Sequence, residues 1–137
     1  MTDTPRQYVL PLGELIDKFT ITQLRETLLN TDKYVEELRQ MEHDIDVLLI
    51  ENDVVLNARA VRLIFLMAQM NTLIWMFKDK MAEDTREENY VKYLKLSHQV
   101  NGLKNILKNK LMNEIGDDIS AQKTNTWIDT LEYKISV

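Results

Sequence analysis

Leu63-Ile64-Phe65-Leu66-Met67-Ala68-Gln69-Met70-Asn71-Thr72-Leu73-Ile74-Trp75-Met76-Phe77 is a fifteen-residue stretch whose only polar positions are Gln69, Asn71 and Thr72, and it holds no Gly or Pro. As a helix it would be apolar on nearly every side, so it must lie centrally in the fold or be covered by a second subunit. A bilayer span needs roughly 20 apolar residues with few polar ones. With Arg59 and Arg62 just before it, the stretch reads as a core or interface helix rather than a membrane segment.

The rest of the chain agrees with a helical reading. Three Gly and two Pro occur in 137 residues, both prolines within the first eleven. A turn-rich β fold needs more such punctuation. The expectation is an all-α domain with one core, since the chain is too short for two ordinary ones. It takes the form of a compact bundle of four main helices plus a short C-terminal helix.

Residues 1–12 read as an extended arm, because Pro5 and Pro11 disfavour helix before them, with Tyr8, Val9 and Leu10 as apolar anchors. A first helix begins near Gly13-Glu14 and ends near Asn30. Thr31 or Asp32 is expected to cap a second helix, which Asn52-Asp53 interrupts. The third runs from Val54 or Asn57 to about Met81. The fourth covers about 86–115 and stops at Gly116. A last short helix is expected over about 120–134.

Composition excludes several chemistries. The absence of Cys rules out disulfides, thiolate metal sites and a cysteine nucleophile. Two His are too few for a histidine-rich metal centre. The first six residues lack the basic and apolar regions of a signal peptide, so the expected location is cytoplasmic. A net charge of −5 argues against general binding to DNA or RNA. The charge is uneven, however: residues 1–53 carry twelve acids and five bases, whereas 86–113 carry two acids and six bases. Two readings fit this asymmetry, a basic helix packed beside an acidic one or an anion-binding strip.

No catalytic constellation is evident. Ser97 adjoins His98, but neighbours on a helix point about 100° apart. Glu42-His43-Asp44 offers metal-capable types at consecutive positions that cannot converge on one ion, and no H-x-x-x-H pair exists. Helical nucleotide pyrophosphohydrolases use paired carboxylate motifs around magnesium. Here Glu36-Glu37 is followed by Leu38, Arg39 and Gln40, which breaks the first motif. Glu14 and Asp17 keep E-x-x-D spacing but precede that pair, in the wrong order. No cofactor or metal is expected.

The polar residues of the first helix are more suggestive. Glu14 and Lys18 stand at i,i+4 and Asp17 and Thr20 at i,i+3, so Glu14, Asp17 and Thr20 can form a structural polar network. Alternatively, Lys18 and Arg25 join Lys104 and Lys108, themselves at i,i+4, to bind an anion. Arg recognises phosphate in bidentate fashion and Lys acts as a point charge. Trp75, with Asn71 one turn before it and Asp79 one turn after, can supply a stacking ring with polar readers or an ordinary core contact.

Three of these segments also carry a resemblance. Gly13-Glu14-Leu15-Ile16-Asp17-Lys18-Phe19-Thr20-Ile21 resembles the G-E-φ-φ-D-K-φ-T-I opening of a family of small all-helical bacterial and phage proteins, a domain of unknown function. Asn71-Thr72-Leu73-Ile74-Trp75 with Asp79 is similar to that family's N-x-x-I-W segment and following acid. Asn101, Lys104, Leu107, Lys108 and Leu111 match part of a third, basic segment, which departs at Lys104, where the family has Arg, and at Met112, where it has Asn. The resemblance implies an all-helical fold and highlights three segments. It implies no reaction.

The leading functional expectation is a non-enzymatic, homo-oligomeric binding protein. It would hold an anionic small ligand such as a nucleotide, nucleotide signal or sugar phosphate through Lys18, Arg25, Asn71, Trp75, Asp79, Lys104 and Lys108. If phage-encoded, it would act in counter-defence by sequestering a nucleotide signal. The alternatives are a protein-binding adaptor or inhibitor using the acidic second helix or the Tyr8-Val9-Leu10 arm, and a metal-dependent hydrolase of nucleotides or sugar phosphates using Glu14 and Asp17.

Overall fold

A computed structural model describes residues 5–117 and 135–137. The expected last helix over 120–134 lies outside the described residues. Four helices make up the described fold: α1 (Leu12–Leu29), α2 (Val35–Glu51), α3 (Ala58–Glu83) and α4 (Glu87–Glu114). The protein is all-α.

The two longest helices form an antiparallel hairpin. Asp84 ends α3 in an extended conformation and Arg86 begins α4, so only a three-residue turn separates them. Contacts equidistant from that turn fix the register: Phe77 stacks on Tyr93 with ring centroids 6.2 Å apart, and near the open end Asn57 donates to Glu114 at 2.8 Å. The Asp84 carboxylate organises the turn. It accepts from the Arg86 backbone N–H and guanidinium and from the Asn89 amide, and these donors hold its carboxyl well below the usual carboxylate range.

Helix α1 packs on the hairpin and also on α2, which approaches no other described helix closely. The core runs through all four: Leu12, Leu15 and Ile16 from α1, Met41 and Leu48 from α2, Leu63, Met67 and Met70 from α3, and Val100, Leu103, Leu107 and Leu111 from α4. Leu28, although in helical phase with α1's core face, is 49% exposed, because it lies in the last turn.

Helix ends show where local sequence rules hold and where tertiary contacts replace them. Asn57 is the N-cap of α3, accepting from the Ala60 N–H at 2.9 Å. Asn30 ends α1 in the left-handed region, and Gly116 with φ 66° terminates the chain turn after α4. Thr31 and Asp32 do not cap α2, a correction to the sequence reading. Thr31 Oγ1 accepts from the Lys33 N–H and the Asp32 carbonyl from the Val35 N–H, so both groups are consumed in a tight turn, and the helix starts three residues later.

Pro11 occupies the N-cap of α1 and has no side chain able to cap it. Asp117 does so from beyond the far end of α4, accepting from Leu12 N–H at 3.1 Å and Gly13 N–H at 2.6 Å. Gly13 is required there. A Cβ at this position would stand 2.5 Å from Met112 Cγ, and Met112 is itself fully buried.

The arm before α1 is extended, as expected, and is tied to α2. Asp44 accepts from the Gln7 and Tyr8 backbone N–H groups at 3.1 and 2.8 Å and from the Gln40 amide at 2.8 Å. Tyr8 and Leu10 pack against the core, but Val9 between them is 88% exposed, as the alternation of extended backbone dictates, so it is not a core anchor among the described residues.

Helix α3 is less buried than its composition suggests. Its inner face, including Ala60, Leu63, Met67, Met70 and Asn71, is buried, whereas Val61, Phe65 and Met76 stand 38–64% exposed. By length and composition α3 is long and apolar enough to cross a membrane, its most apolar 18-residue window having a mean hydropathy of 1.5. The fifteen-residue stretch alone had placed it below that limit. Only 28% of the window is fully buried inside the described fold, and the other positions are partly covered or exposed.

Candidate functional site

Helical phase brings the polar residues of α1, α3 and α4 to one place. Glu14 and Asp17 lie on α1, Asn71 in mid-α3, and Lys104 and Lys108 one turn apart on α4. Lys108 Nζ is 3.0 Å from Glu14 Oε1 and 3.5 Å from Asp17 Oδ2. Lys104 Nζ lies 3.3 Å from the same Asp17 oxygen. Asn71 donates from Nδ2 to Asp17 Oδ1 at 2.9 Å and to Thr20 Oγ1 at 2.8 Å. Thr20 in turn donates its hydroxyl hydrogen to the Asp17 carbonyl.

This network is buried: Asp17, Asn71, Lys104 and Lys108 all belong to the interior, with Lys108 only 2% exposed. Ions moved out of water are tolerated only when paired and hydrogen-bonded. Here two carboxylates face two ammonium groups. Of the two readings of the charge asymmetry, the structure shows the basic helix set against acids of the first segment. It is α1 that supplies those acids, not the strongly acidic α2.

The network borders a cleft of about 280 Å³ between the same three helices. Ile21, Leu24 and Arg25 contribute from α1, Asn71, Ile74, Trp75 and Lys78 from α3, and Asn101 and Lys104 from α4. Arg25, Lys78 and Lys104 are cationic, and no carboxylate is present among the described lining residues. Both N–H bonds of Asn71 are engaged in the network, so its carboxamide can offer only an acceptor oxygen to a ligand. Ile21, Leu24, Ile74 and Trp75 make the remaining wall apolar.

Four of the seven residues expected to bind ligand therefore meet in the cleft: Arg25, Asn71, Trp75 and Lys104. The other three lie elsewhere. Lys108 is sealed beneath the cleft by Glu14 and Asp17. Lys18 is exposed, its ammonium 5.1 Å from the centre of the Tyr8 ring, beside the arm. Asp79 is exposed and outside the lining, because a residue four positions after Trp75 turns outward here while Lys78, three positions after it, turns in. Lys78 was missed by the sequence reading, although its seven-residue spacing from Asn71 was a usable signal. Asn101, three residues before Lys104, belonged to the third resembling segment and does reach the cleft.

Other candidate chemistry is dispersed. Ser97 is buried and His98 exposed, as adjacent helical positions require. Among the described residues no three His, Asp or Glu side chains are placed to hold a metal ion. Asp44, which stood in the Glu42-His43-Asp44 run, is fully buried and holds the arm. A second cavity of about 310 Å³, lined by Arg6, Leu10, Leu48, Val54, Ile115 and Asp117 among others, lies under the arm, and its carboxylate is already spent on α1.

Comparison with known proteins adds no relative: no protein-family model, curated sequence or solved structure matches the chain.

Proposed function

We propose that this chain is a non-enzymatic binding protein that holds a small anionic molecule in the cleft between α1, α3 and α4. One observation carries the reading: three cationic side chains from three helices line a partly apolar cleft that has no described carboxylate. Such a lining recognises phosphate or carboxylate through Arg25 and Lys78 and accepts a ring against Trp75. The buried lysines and acids beneath it favour holding over turnover, since Glu14 and Asp17 already face Lys104 and Lys108 and are poorly placed to carry a metal or act as a base. Sequestration of a nucleotide-like molecule is the role that fits a binder without catalytic groups.

Native mass spectrometry of the purified protein, gently desolvated and then denatured, tests this. A stoichiometric small-molecule adduct that is lost in Arg25→Ala is expected. A protein that stays empty after incubation with cell metabolites, and remains so for nucleotides and sugar phosphates added singly, would sink the proposal.

A second reading rests on a different observation, the exposed Val61, Phe65 and Met76 of α3. A stripe of this kind is covered by a second copy or another protein in many assemblies. Sedimentation velocity on the wild type and on Phe65→Glu decides it: a shift to a smaller species supports self-association, and a monomer in both removes it.

A further inference from the structure

The charges around the cleft allow a sharper statement about its occupant. Lys104 lines the cleft, but its ammonium lies 3.3 Å from Asp17, and the four charges of Glu14, Asp17, Lys104 and Lys108 balance one another. Two cationic lining residues remain outside that balance. Arg25 on α1 and Lys78 on α3 have no ion-pair partner among the described residues, so within the described fold the cleft presents two uncompensated positive charges. Lys104 can still lend N–H donors without adding net charge.

Resting on the reading of this cleft as a ligand site, we propose that it selects a dianionic phosphomonoester attached to a ring, over a monoanionic phosphodiester or a neutral analogue. A phosphomonoester carries about −1.5 to −2 charge at pH 7, which matches Arg25 and Lys78 together. A phosphodiester carries one charge and leaves one of them unanswered. The planar guanidinium of Arg25 binds two oxygens of one phosphate, and Lys78 and Lys104 reach a third. Trp75 supplies the face for a ring, and the Asn71 carboxamide oxygen accepts from a ring N–H or a sugar hydroxyl. At about 280 Å³ the cleft falls just under the usual range for ligand pockets, so one ring with one phosphate fits better than a dinucleotide or nucleotide sugar.

The test is calorimetric titration at pH 7.5 with the four common nucleoside 5′-monophosphates, their methyl phosphate esters and the nucleosides, on full-length protein. For at least one base, the monophosphate is expected to bind about tenfold or more tightly than its methyl ester. Lys78→Met should bring that ratio close to one, and Lys78→Arg should keep it. Both positions are exposed, so the variants are expected to fold, which circular dichroism checks. Equal affinity for ester and monophosphate would overturn the charge match and leave the cleft reading intact. Saturable binding indifferent to Arg25→Ala and Lys78→Met would overturn both. If no nucleotide binds while native mass spectrometry still shows an Arg25-dependent adduct of other chemistry, the phosphomonoester assignment fails and the cleft reading survives.

Discussion

Asp17→Asn replaces one oxygen of a buried carboxylate with an amide and changes almost nothing in shape, yet it should destabilise the protein severely. In the wild type, Oδ1 accepts from Asn71, and Oδ2 faces Lys104 at 3.3 Å and Lys108 at 3.5 Å. The variant's one oxygen can face either Asn71 or the two lysines, now without a charge, and its NH2 is turned toward donors that cannot accept from it. Lys108 retains Glu14 at 3.0 Å, but Lys104 loses its only carboxylate among the described residues. Removing one partner of a buried ion pair costs about 3–5 kcal/mol. The Lys104 side chain is 11% exposed at the cleft edge, which permits some hydration, so the lower figure of about 3 kcal/mol applies. For a domain of this size that corresponds to a melting-temperature drop of roughly 10 °C, measurable by circular dichroism at 222 nm. The double variant Asp17→Asn, Lys104→Met removes the stranded charge and should recover about half of the loss. A single variant melting within 2 °C of wild type, or a double variant whose losses merely add, would refute the account of the network.

Two further outcomes follow from contacts elsewhere. Asp117→Ala removes the cap on α1 and should cost about 1–2 kcal/mol, with faster hydrogen exchange at the Leu12 and Gly13 amides; unchanged exchange there would show that the cap is idle. Burial, with the negative charges of Glu37 and Asp44, raises the Tyr8 phenol above its ordinary value of 10.0. The folded chain therefore keeps this proton when the unfolded chain has released it, so the contribution is complete below pH 10 and is lost as pH rises above it. Urea midpoints from pH 9 to 11 should fall more steeply for wild type than for Tyr8→Phe, and parallel curves would contradict this.

Much of the fold was legible because helix-forming sequence is interrupted at few places. Asn57, Gly116 and the Asn52-Asp53 pair act locally, and each marks its boundary where the sequence placed it. The i,i+4 spacing of Lys104 and Lys108 likewise put them on one face. What that spacing cannot state is which neighbour the face meets: the acids that fix both lysines lie some ninety residues earlier. Lys108 was consequently assigned to ligand when the fold commits it to Glu14 and Asp17. Asp79 and Lys78 differ by one helical step, about 100°, and only packing against α1 and α4 decides which of them turns toward the cleft. The roles of Asp44 and Asp117 escape a sequence reading for a related reason. Their partners are backbone N–H groups, which every residue but proline carries, so no side-chain pattern marks them.

The bond between Asp117 and the start of α1 also bears on the order in which the chain becomes stable as it is made. Leu12 and Asp117 are 105 residues apart, and synthesis delivers residues at roughly 5–20 per second. Helix α1 thus waits several seconds for the residue that closes its N-terminus, and for the lysines that neutralise Glu14 and Asp17. In that interval α1 is an amphipathic segment with exposed Leu15 and Ile16 and little to hold it. Helix α1 is then secured only after α2, α3 and α4 have been made, and a nascent chain halted before residue 117 lacks the contact that finishes it.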